Sequence, residues 1–95
     1  MKMEGVLDDL EAAAQKLGVK VSYENLADTV GGGGLCKVKG VYRVIIDKRG
    51  NAGEKAATLA KALAALDTEG IFLSPAARDL VDRYRALRAA AGGPG

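Results

Sequence analysis

Close packing is imposed on this chain by the side chains it has to bury. Its apolar content of 48% is inflated by alanine and holds only 4% aromatic residues, so a core has to be assembled from Leu, Val, Ile and tightly apposed Ala. With 95 residues to enclose it, such a core is thin. Stability then rests on helices and strands meeting at short range, or on a partner subunit.

Periodicity shows where those elements fall. Val6, Leu10, Ala13 and Leu17 recur at helical spacing, widened by Leu7 and Ala14, with Asp8, Asp9 and Glu11 outside the stripe. This predicts an amphipathic helix over residues 4–17. Gly18 stands where a left-handed residue stops a helix, and Lys16 complements the macrodipole. Val19 to Tyr23 alternates with period two, as a half-buried strand does. Residues 24–30 suit a helical turn, and Gly31 to Gly34 form a loop, because four residues without Cβ lose the most entropy on ordering.

Leu35 to Lys39 and Val41 to Asp47 are predicted to form a hairpin around Gly40. If Cys36 and Val38 share a buried face with Tyr42, Val44 and Ile46, Val38 opposes Tyr42 across a three-residue connection, Lys39-Gly40-Val41. A second helix is expected from Ala52 to Leu66, with Ala56, Leu59, Ala60, Leu63 and Leu66 on one face. Ile71-Phe72-Leu73 reads as an apolar plug or an exposed docking strip. Ser74 and Pro75 then supply an N-cap and first turn for a third helix that buries Ala77, Leu80, Val81, Tyr84 and Leu87. On its outer face Arg78 with Asp82 and Asp79 with Arg83 stand as i,i+4 pairs.

The whole is one α+β domain over residues 1–91, with three helices packed on a small, largely antiparallel sheet made of a hairpin and one short strand. Residues 92–95 are expected to be a disordered tail. Neither a signal peptide nor a membrane span is read, since acidic residues interrupt the N-terminus and the apolar runs are short. One cysteine closes no intrachain disulfide, which fits a cytoplasmic setting.

From about Tyr23 to Leu66 the chain resembles the front half of the small zinc metallopeptidases of the ImmA/IrrE type. The likeness runs through Gly33-Gly34-Leu35-Cys36-Lys37-Val38-Lys39-Gly40, then Tyr42-Arg43-Val44-Ile45-Ile46-Asp47, then the helix through Glu54-Lys55-Ala56-Ala57-Thr58-Leu59-Ala60. In that family the helix carries His-Glu-x-x-His. Here those positions fall at Lys61, Ala62 and Ala65, so both imidazole ligands and the general base are missing. The resemblance therefore implies a scaffold kept without its catalysis.

Other chemistry finds little footing in the residues. Without histidine there is no Ser-His-Asp triad, and the four-glycine run lacks the Gly-Lys-[Ser/Thr] ending of a phosphate-binding loop. Cys36, on the apolar side of its expected strand, reads as a small hydrophobe. Asp8 with Asp9 and Asp67 with Glu69 read as solvated carboxylates. No catalytic residue, cofactor or metal ligand is expected.

Charge is distributed unevenly. Residues 1–36 hold three basic and six acidic side chains, whereas residues 37–64 hold seven basic and two acidic. Lys37, Lys39, Arg43, Lys48, Arg49, Lys55 and Lys61 make a candidate basic patch. The leading expectation is a non-catalytic protein-interaction module, self-association included, with Ile71, Phe72 and Leu73 as a candidate protein-binding strip. The alternative is a nucleic-acid-binding accessory protein using the basic hairpin and the helix after it, which the modest net charge and scarce aromatics disfavour.

Overall fold

The computed structural model describes residues 2–27 and 33–92. Residues 28–30 of the expected helical turn at 24–30, the first two glycines of the run and the last three residues of the expected tail lie outside that range. Six elements follow in order: helix α1 (Met3–Lys16), strands β1 (Lys20–Glu24), β2 (Gly34–Val38) and β3 (Val41–Asp47), and helices α2 (Ala52–Leu63) and α3 (Pro75–Gly92). The domain is α+β, as expected. Gly92 extends α3 into the expected tail.

The strand order is β1-β3-β2, so β1 and β2 are the edges. β2 pairs with β3 antiparallel, and β1 pairs with β3 parallel. The hairpin register differs from the expected one. Val38 opposes Val41 directly, leaving a two-residue turn in which Lys39 and Gly40 both have positive φ, 52° and 82°. Such a turn matches the right-handed twist of the flanking strands, which outweighs the cost of a lysine in the left-handed region.

That shift by one residue changes which side chains face inward. Leu35 and Lys37 now share the helix-facing side with Val44 and Tyr42, whereas Cys36 and Val38 lie on the outer side with Arg43 and Val41. Arg43 is thereby placed without entering the core, because no described helix packs on the outer side. Cys36 is half-buried on that outer side, not enclosed with Val44 and Ile46.

The helices end for identifiable reasons. At the end of α1, Gly18 N–H donates to the Gln15 carbonyl and Val19 N–H to the Ala14 carbonyl, the paired bonds of a Schellman stop. Asn51 starts α2 with a capping box: its side chain accepts from Glu54 N–H while the Glu54 carboxylate accepts from Asn51 N–H. Asn51→Ala should cost about 1 kcal/mol, read from the denaturant midpoint. Beyond Leu63, Ala65 and Leu66 N–H donate to carbonyls three residues back, so α2 tightens and stops before the expected Leu66. Ser74 caps α3 through its Oγ, which accepts from Ala77 N–H.

The core joins Val6, Leu10, Ala13 and Ala14 of α1 to Val44 and Ile46 of β3, Ala56, Leu59, Ala60 and Leu63 of α2, and Ala77 and Val81 of α3. The structure has three layers. The sheet lies against α1 and α2, and α3 packs on those two helices without reaching the sheet. Leu87, expected in the α3 stripe, is 57% exposed because it borders an open depression beside Lys61 and Arg88 and not the packed core. Among the described residues the expected pairs Arg78 with Asp82 and Asp79 with Arg83 are not made; Asp82 meets Arg85 instead, at 3.4 Å. No described helix is long and apolar enough to cross a membrane.

Candidate functional site

Because α3 stops short of the sheet, a cleft opens between β2 on one side and α2 and α3 on the other. It encloses about 450 Å3. Gly33, Gly34 and Leu35 form the β2 wall, Thr58 and Lys61 project from α2, and Tyr84 and Arg88 come from α3. Gly33 is required there: a Cβ at that position would stand 2.1 Å from the Ile45 carbonyl oxygen. A second depression of about 380 Å3 continues along α3 past Leu87 and Ala91, and shares Lys61, Tyr84 and Arg88 with the first.

Lys61, Ala62 and Ala65 all line this cleft. These are the positions at which the resemblance sets His-Glu-x-x-His. They do not suit zinc, since an ammonium group repels a cation and a methyl group offers it no electron pair. Lys61 leaves the last turn of α2, where a cation is favoured, and its Nζ lies 5.9 Å from the centre of the Tyr84 ring. Among the described residues no acidic side chain lines the cleft or its extension.

The seven basic residues singled out from the sequence are dispersed. Lys37 and Arg43 stand on opposite sides of the sheet by strand parity, and Lys39 sits in the turn. Arg49 is bound to the Asp47 carboxylate at 2.6 Å, and that contact holds the Asp47 carboxyl down at about 2. Lys37 and Lys55 lie over the rings of Tyr42 and Tyr23, with Nζ 5.0 and 5.5 Å from the ring centres. Tyr23 in turn donates its hydroxyl hydrogen to Glu11, and burial together with that carboxylate raises its phenol above the ordinary range. Of the seven, Lys61 alone enters the cleft. Arg88 joins it there, a residue the sequence did not single out, since its place depends on how α3 packs across α2.

Ile71, Phe72 and Leu73 separate into different environments. Leu73 is 4% exposed and belongs to the core, Ile71 is half-buried against it, and Phe72 is 72% exposed. The segment is thus anchored by one residue and presents another. Phe72→Ser should leave the unfolding free energy within about 0.5 kcal/mol, measured by chemical denaturation, because an exposed ring contributes little to the folded core.

Comparison with protein-family models, with curated proteins and with solved structures finds no match to this chain.

Proposed function

We propose that this protein is a non-catalytic, cytoplasmic protein-interaction module, a peptidase-like scaffold that holds a partner in the cleft where catalysis would have been. The observation that carries the reading is the coincidence of cleft and substitution. Lys61, Ala62 and Ala65, where the resemblance sets its catalytic side chains, line one cavity beside β2, whose other side no described strand pairs. Open edges, partly apolar walls and a few convergent polar groups are features of peptide-binding sites. Exposed Phe72 adds a separate anchor for a larger surface.

The nucleic-acid reading draws less support from the same geometry. Its cations face different directions, and one is held by Asp47. A steep loss of oligonucleotide binding between about 50 and 200 mM salt would nonetheless favour it.

Affinity capture from a native cell extract, run beside light scattering on the pure protein, tests the main reading. A protein partner or a defined homo-oligomer that is lost in Lys61→Glu supports it. A monomer retaining nothing overturns it, as does substrate turnover that collapses when one side chain is changed.

A further inference from the structure

The cleft has a directional charge that its shape alone does not require. Lys61 and Arg88 rise from adjacent helices and flank Tyr84 in both halves of the trough, and neither is ion-paired with a described carboxylate. Leu35, Leu87 and Ala91 supply apolar surface along the same path.

The strand edge beside it also has a defined polarity. Val38 and Val41 flank the two-residue turn and so exchange both of their backbone bonds, as do Cys36 and Arg43 two residues further on. Leu35 and Lys37 therefore direct their N–H and C=O groups away from β3, toward the edge that no described strand pairs. The side chains of those same two residues face the helices. An incoming strand that bonds to Leu35 and Lys37 places alternate side chains over the trough.

Resting on the protein-binding reading above, the geometry points to a specific occupant: an extended peptide with acidic side chains at alternate positions, added as a fourth strand along β2, its carboxylates meeting Lys61 and Arg88. A basic segment is excluded by charge, because it meets cations in a trough with no described carboxylate to offset them. A nucleic acid strand carries the right charge but has no backbone donors and acceptors at strand spacing.

The probe is a displayed library of random extended decapeptides selected on the immobilised full chain. The enriched sequences should carry acidic residues two apart, and a synthetic copy of the best binder should lose affinity by about tenfold in Lys61→Glu and again in Arg88→Glu. Both side chains are exposed, so thermal melts should show the variants folded. Replacing the peptide amides that face β2 by N-methyl amides should abolish binding, whereas methylating the alternate amides should not. Enrichment without acidic bias, recovery of no peptide, or affinity indifferent to both substitutions overturns the assignment. So does light scattering that shows a second copy of this chain occupying the cleft. If the library fails while Lys61→Glu still releases a captured protein, the acidic-strand assignment falls and the broader protein-binding reading stands.

Discussion

Leu63→Ala should lower the unfolding free energy by about 3 kcal/mol or more, the largest single effect expected in this molecule. Leu63 is fully buried near the end of α2, in the cluster that joins α2 to α1, β3 and α3. Its neighbours there include Ala60, Ala62, Ala64 and Ala77, which have no flexible side chain with which to fill a hole. The cavity left behind should therefore stay open, which is the condition under which the cost of truncation is greatest. For a domain of this size the loss corresponds to a melting temperature lower by about 12 °C or more, measured by circular dichroism. A drop below about 1 kcal/mol would mean that the alanine-rich core closes over the gap and is less rigid than its burial implies.

Arg85→Ala should cost about 2 kcal/mol, although the side chain is partly exposed and belongs to no candidate site. Its guanidinium reaches from α3 to the end of α2, where Nε donates to the Ala64 carbonyl at 3.4 Å and Nη2 to the Leu66 carbonyl at 3.0 Å and to Thr68 Oγ1 at 3.2 Å. Those carbonyls lie where α2 has run out of intrahelical donors, so the arginine serves as a C-terminal cap supplied by another element. Thr68 is 3% exposed, and without Arg85 its hydroxyl loses its partner. Asp82→Ala removes only the exposed partner at 3.4 Å and should change stability by less than about 0.5 kcal/mol. Arg85→Lys should recover part of the loss, since an ammonium lacks the planar fork that reaches several oxygens at once. Equal effects for Asp82→Ala and Arg85→Ala would show that the surface ion pair, not the cap, matters.

The cap and the cleft have a common origin. α3 meets the end of α2 at Arg85, which faces its bare carbonyls, and its next residues set Leu87 and Arg88 beside Lys61 along the trough. A sequence comparison of α2 and α3 does not give this, because both helices carry well-formed apolar stripes. What separates them is the tightening of the chain after Leu63, where Ala65 and Leu66 bond three residues back. Alanine and leucine accept either geometry readily, so nothing in that stretch announces the end.

By itself the sequence determined the elements whose signals are local. The stripe of α1 with its Gly18 stop, the Ser74-Pro75 start of α3, three strands, the α+β class and the absence of any imidazole were all fixed by neighbours a few residues apart. Lys61 and Ala62 were legible as positions on one helix for the same reason, whereas Ala65 falls just past its end. Only the tertiary structure decided the hairpin register, the outward side of Cys36, the parallel seat of β1, the division of Ile71, Phe72 and Leu73, and the meeting of Lys61 with Arg88. These depend on which face a neighbouring layer covers and where it ends. Hydrophobic pattern records that a side chain can be buried; whether it is depends on a surface contributed by residues far away in the chain.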